Sequence, residues 1–166
     1  MIASSHIDKT LKDLDKLYNS ATSQKKAIYY SKLALIELCG WIEETLDNIV
    51  IRHANRKLKL PCNKKYYSEK IVMKTYGFDY KANIRPMFIN LVGIIEVEKI
   101  EKKLDKKMQL QIFKSQLGSL KKIRNDAAHT HLKGVTRVYI APSYIIGEFS
   151  TIKQFLEKID SELRMR

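Results

Sequence analysis

QKKAIYYSKLALIELCGWIEETLDNIVIRHANRKLKL, residues 24 to 60, is the stretch on which the fold turns. Ala27, Leu35, Leu38, Ile42, Leu46, Ile49 and Val50 recur at helical spacing, with Ala34 and Trp41 beside the stripe. The pattern predicts one helix from just after Ser23 to about Leu60, where Pro61 stops it. Its far end carries Arg52, Arg56, Lys57 and Lys59, so the helix leaves the core cationic.

Outward from that helix the same period returns. Ile7, Leu11, Leu14 and Leu17 step by four, three and three, with Ser4 and Ser5 as candidate caps and an end near Asn19-Ser20. Residues 61 to 85 hold a short helical pattern around Ile71, Val72 and Tyr76, closed by Gly77. Pro86 suits a first helical turn, and Phe88, Leu91, Val92, Ile95 and Ile100 lead into the charged stretch EKIEKKLDKK. Leu110, Phe113, Leu117, Leu120 and Ile123 mark a further helix. VTRVYIAP, residues 135 to 142, reads as a short extended segment. Ile145, Phe149, Ile152, Leu156, Ile159 and Leu163 mark a closing helix of about five turns, despite Gly147. No repeat, low-complexity tract or linker divides residues 1–166. The expectation is an all-α, single-domain bundle of five to six helices with a short extended or loop segment before the last.

Composition bounds what such a bundle does. The 166 residues carry 31 Lys and Arg against 18 Asp and Glu, a net charge of +13. Counterion release then favours a polyanion, above all nucleic acid, as partner. Cys39 and Cys62 are far apart and outside any CxxC spacing, as reduced cytoplasmic thiols would be. The N-terminus has no apolar leader core, and no stretch reaches the ~18 apolar residues of a membrane span. A cytoplasmic protein that engages no membrane is expected. Without a glycine-rich phosphate loop or a G-x-S-x-G elbow, ATP use and serine chemistry lack support, and no cofactor is implied.

The chemistry-bearing run is KKIRNDAAH, residues 121 to 129. Arg124 and His129 are five apart, about 140° of helical rotation, so the two side chains diverge. Asn125 and His129 share a face, and Ala127 and Ala128 leave room for a close approach. One copy makes a poor pair. Two copies across a two-fold axis would set two arginines and two histidines around one cleft. Such a cleft suits RNA cleavage without metal. The ribose 2′-hydroxyl is an internal nucleophile, histidine can move protons at neutral pH, and a guanidinium fork meets the charge gained in the transition state. Asn125 would hold a phosphate oxygen or fix the imidazole tautomer. Lys121 and Lys122 would lead the backbone in, with Arg52, Arg56 and Lys57 as further nucleic-acid contacts.

RNDAAH resembles the R-x4-6-H signature of the HEPN superfamily. The wider run LGSLKKIRNDAAHTHLKGVTRVYIAPSYIIGEFSTIKQFLEKID resembles the C-terminal half of its RiboL-PSP and MAE-type branch. The resemblance covers about residues 110 to 163. It implies a small all-α homodimer, in many relatives a metal-independent endoribonuclease of toxin–antitoxin, phage-defence or RNA-processing systems. It also raises a cognate antitoxin or regulatory protein as partner. By position, Arg124, Asn125 and His129 match the motif, and Glu43 or Glu44 corresponds to a supporting acid on an earlier helix. The alternative is a non-catalytic basic module of the same fold that binds nucleic acid or a partner protein.

Other residues have plainer readings. His131 forms an H-x-H with His129, but no third ligand is within reach, so no metal site is expected. His53 reads as a solvated helix residue and His6 as helix surface. Tyr29-Tyr30 and Tyr66-Tyr67 read as half-buried packing before base stacking. KKLDKK, residues 102 to 107, reads as a solvated face or, with Arg52, Arg56 and Lys57, an RNA track. Trp41 reads as core or dimer interface. Asp126 reads as a first-turn carboxylate of a restarted helix or a partner for Lys122.

Overall fold

Helix α1, Ser5–Asn19, and helix α2, Gln24–Lys57, form an antiparallel hairpin across the Ser20–Ser23 turn. Ser23 starts α2 from extended backbone, its side-chain oxygen accepting the Lys26 N–H at 3.3 Å. That interaction satisfies one of the free N–H groups of a helix start. The computed structural model describes residues 2–129 and 139–166, with His129 described by its backbone alone. Among these there are seven α-helices and no strand, a single all-α assembly with one more helix than expected.

The added complexity lies between 61 and 104. Pro61 does not simply end α2, which stops three residues early at Lys57; it opens α3, Pro61–Tyr66. A π-turn, Tyr67–Ile71, and a 3₁₀ turn, Val72–Lys74, carry the chain on. The helical run therefore ends before Tyr76, which is exposed. After a second π-turn, Tyr80–Ile84, come α4, Arg85–Val92, and α5, Ile94–Leu104. Gly93 separates those two with φ +82° and ψ 157°, a conformation essentially reserved for glycine. The bend there leaves Ile94 and Ile95 exposed. Helix α6, Gln109–His129, and helix α7, Pro142–Arg164, complete the chain. Of the expected extended segment, 135–138 lie outside the described residues; Tyr139–Ala141 are non-helical.

The core forms around α2. Leu35, Leu38, Ile42, Leu46, Ile49 and Val50 are buried, and so is the periodic face of α7 from Ile145 to Leu163. α7 runs parallel to α2: Trp41 meets Phe149 edge-on at 5.0 Å, and eleven residues further on Arg52 pairs with Asp160. α6 runs antiparallel to both, with Phe113 stacked on Phe155 at 4.3 Å and Lys158 donating to Gln109 at 2.8 Å. The stripe of α1 includes buried Ile7, Leu11 and Leu14, but Leu17 is exposed, because the helix is near its end and no element among the described residues covers its last turn. Trp41 is half-buried, and its indole N–H donates to the Ala3 carbonyl at 2.9 Å. It thereby ties the N-terminal residues to α2 and α7 within one chain. His53, expected in solvent, is buried, and burial lowers its pKa ahead of the nearby Arg56 and Lys57. Its place at the α2–α7 seam, not its cationic neighbours in sequence, decides its surroundings.

Gly93→Ala should lower unfolding stability by about 1–3 kcal/mol, the cost of holding a side chain in that backbone region. Nothing lies within 4 Å of the added Cβ, so the loss is conformational, and urea denaturation reads it directly.

Candidate nucleic-acid site

α6 carries RNDAAH without a break. Helical hydrogen bonding continues from Gln109 through His129, so the run is neither a frayed end nor a restarted helix, and Asp126 sits within α6 on its exposed side. Ala127 is fully buried and Ala128 exposed, which sets the rotation of this last stretch against the core. The backbone stays helical across the five residues from Arg124 to His129.

Arg124 reaches toward α2. Its Nη2 donates to Glu43 Oε1 at 2.5 Å, and its Nη1 donates to Asn125 Oδ1 at 3.3 Å. The guanidinium lies 6.0 Å from the centre of the Phe78 ring. Both members of the ion pair are about one-third exposed (32% and 33%), so the pair itself adds only about 0.2–1 kcal/mol of stability. Its larger effect is orientation: it holds one end of a planar fork with five donors, more than these two oxygens use. Glu44, the other candidate acid, is exposed and faces the groove beside α1, away from Arg124.

Of the basic residues singled out in the sequence, only Lys121 and Lys122 share α6 with Arg124. Lys121 pairs with Asp79 at 3.4 Å, and Lys122 is exposed on α6. Arg52 pairs with Asp160 at 3.5 Å, and Arg56 places Nη2 3.1 Å from His53 Nδ1. Arg52 lies nine residues along α2 from Glu43, about 180° around the helix. Lys57 is near the Glu43 direction but about 21 Å along the axis. Lys102 pairs with Glu98, and Lys103 with Glu162 at 3.1 Å. The aromatic pairs split: Tyr29 and Tyr66 are exposed, Tyr30 is half-buried, and Tyr67 is buried with its hydroxyl donating to the Met87 carbonyl. His131 lies outside the described residues; among those described, no group of three metal-ligating side chains occurs.

Two neighbours went unread in the sequence. Cys39 and Asp47 lie one turn before and after Glu43 on α2, so C-x3-E-x3-D places all three toward one side. Burial pushes the Cys39 thiol up to about 12, opposed by Arg124 and reinforced by Glu43. Burial and then the Glu43 charge raise the Asp47 carboxyl to about 6. The spacing was visible, but only the tertiary fold shows which residues of α2 lie beside Arg124 of α6.

Cys62 should react with a thiol reagent at pH 8 while Cys39 stays unmodified in the native protein, since one is exposed and the other buried and protonated. Asp47 binds its proton more tightly folded than unfolded, so its contribution falls as pH rises from about 4 to about 6. Asp47→Asn should therefore raise the urea midpoint at pH 7.5, and the difference from wild type should vanish below pH 4.

No helix among the described residues is long and apolar enough to cross a membrane. A comparison with curated proteins gave no match, and neither did one with solved structures. The family model described as RiboL-PSP-HEPN matches residues 3–164, nearly the whole chain and every helix described above. The protein belongs to the RiboL-PSP-HEPN family.

Proposed function

We propose that this protein is a metal-independent endoribonuclease acting in a homodimer, in a toxin–antitoxin or phage-defence setting. The observation that carries the reading is Arg124, held on an unbroken α6 by Glu43 and Asn125 and followed five residues later by His129, in a chain of a HEPN family. In the reaction, the 2′-hydroxyl oxygen bonds to the adjacent phosphorus as the P–O5′ bond breaks. The products are a 2′,3′-cyclic phosphate and a 5′-hydroxyl. His129 moves the proton, taking it from the 2′-oxygen or giving one to the departing 5′-oxygen. Arg124 meets the negative charge gained by the non-bridging oxygens. Asn125 and Glu43 position the guanidinium. The net charge of +13 supports a polyanionic substrate, and Lys122 offers an exposed cation on α6, one turn before Asn125.

A second reading has an observation of its own. Arg124 already has a carboxylate partner inside the chain, as it would in a non-catalytic module that binds RNA or a protein through its other basic surfaces. Labelled RNA, incubated in EDTA with product-end analysis, separates the two. The nuclease should keep cleaving under chelation and leave cyclic phosphate ends. Arg124→Ala should reduce the cleavage rate by about 10²–10³-fold, the loss typical for one charge-stabilising donor. His129→Ala should abolish cleavage while leaving RNA affinity within about twofold, since one neutral contact among many phosphate contacts is lost. Strict dependence on added magnesium, or no cleavage by the wild-type chain, refutes the enzyme.

A further inference from the structure

Residues 56–76 hold seven Lys and Arg against one acid, Glu69, so nearly half of the net charge of +13 sits in about an eighth of the chain. The same stretch keeps large side chains in water: Tyr66, Met73 and Tyr76 are 61%, 63% and 79% exposed. Lys65 reaches Glu69 at 3.9 Å, so a four-residue step brings side chains together even where α3 passes into the first π-turn. One residue earlier or later, Cys62, Tyr66, Lys70 and Lys74 repeat that step, on the side away from buried Tyr67 and Val72. All four are exposed. Neither Lys70 nor Lys74 joins an ion pair among the described residues.

The row ends beside the candidate site. Past Lys74 the chain turns at Gly77, φ +97°, and Phe78 enters the core while Tyr76 stays in water. Asn83 pins this turn: its Nδ2 donates to the Tyr76 carbonyl and its Oδ1 accepts the Asp79 N–H, both at 3.0 Å. Asp79 pairs with Lys121 of α6, and the Phe78 ring lies 6.0 Å from the Arg124 guanidinium. Tyr76 is thus an exposed ring on a fixed backbone, two residues from the ring beside Arg124. On the buried side of the row, the Tyr67 hydroxyl donates to the Met87 carbonyl, and burial and then the Asp47 charge raise its pKa. The row therefore packs near the Glu43–Asp47 turn of α2.

We infer that an unpaired RNA strand follows this row, its phosphates on Lys70 and Lys74 and its bases stacked on Tyr66 and Tyr76, and that Tyr76 delivers the strand to Arg124. Cations give the affinity for the backbone, and an aromatic face takes any base without reading its sequence. The alternation of ring and ammonium along one line matches the alternation of base and phosphate. An anionic lipid surface asks for something else, an apolar face that enters the bilayer together with cations on its flanks. The row stands on its own charge and exposure; its delivery of the strand to Arg124 deepens the nuclease reading above and rests on it.

The test is binding of a fluorescein-labelled 2′-O-methyl RNA strand of about 16 nucleotides, read by fluorescence anisotropy across a salt series. Lacking the 2′-hydroxyl nucleophile, this strand stays intact on the wild-type chain. Circular dichroism is the fold control, and Lys70, Lys74 and Tyr76 are all exposed. Tyr76→Ala should weaken binding about five- to a hundredfold, and Tyr76→Trp should stay within about twofold of wild type. Lys70→Gln with Lys74→Gln should make the slope of log affinity against log salt shallower by about 1.4, for two phosphate contacts. Bound strand should shield Cys62 from a thiol reagent. Wild-type affinity in both variants, an unshielded Cys62, or equal competition by an RNA duplex overturns the proposal. So does binding to anionic phospholipid vesicles that the same substitutions abolish while the strand binds as before. Cleavage of ordinary RNA by wild type is scored separately. Cleavage with wild-type binding in both variants sinks the row and keeps the nuclease, whereas row-dependent binding by an inert chain does the reverse.

Discussion

α2 is about 50 Å long at 1.5 Å per residue, and the described residues leave part of such a rod uncovered. Its buried arc meets α1, α6 and α7, and those contacts form most of the core. The rest follows from what this one helix leaves over. Its C-terminal half is also packed by the segment from Tyr67 to Val92, while the first half keeps an apolar side in water. Hydrophobic burial thus sets both the fold and the surface on which the fold is incomplete.

The candidate site sits where the covered and uncovered parts of α2 meet. Arg124 comes from α6, Glu43 from α2 and Phe78 from the connection before the second π-turn. A solvated ion pair contributes little to stability, but here it joins two helices whose own packing is already decided. The carboxylate can therefore orient the guanidinium without having to hold the bundle together. One turn away, Asp47 shows the other consequence of placing acids along this seam. Partial burial and a like charge at Glu43 favour its protonated form. Two neighbouring carboxylates on one helix thus serve differently, because among the described residues only Glu43 has a cation against it.

The cations at the end of α2 and on α5 are distributed, not gathered into one track. Arg52 binds Asp160, and Lys103 binds Glu162. Those two acids are about 200° apart around α7, so the cationic end of α2 and the lysine-rich end of α5 lie on different sides of it. Acidic residues of α7 partner both groups locally. Net charge still favours a polyanion at long range, but it does not say which surface the polyanion follows.

Periodicity alone determined the all-α class, the approximate extent of α1, α2, α6 and α7, and most of their buried faces, because a strong 3.6-residue apolar stripe has one economical burial. The RNDAAH run carried the family resemblance because its polar residues are local in sequence. Tertiary structure alone decided the rest. Gly93 divides α4 from α5 through a backbone conformation that composition does not reveal, and His53 is buried at its seam with α7, a helix that begins at Pro142, far along the chain. Glu43 rather than Glu44 meets Arg124 because one residue is 100° of helical rotation, and only the packing of α6 against α2 selects between them. The apolar side of α2 left in water, at Tyr29, Leu33 and Ile36, was hidden for the same reason. Along this length α2 is apolar on several sides, and only its neighbours show which side is left in water.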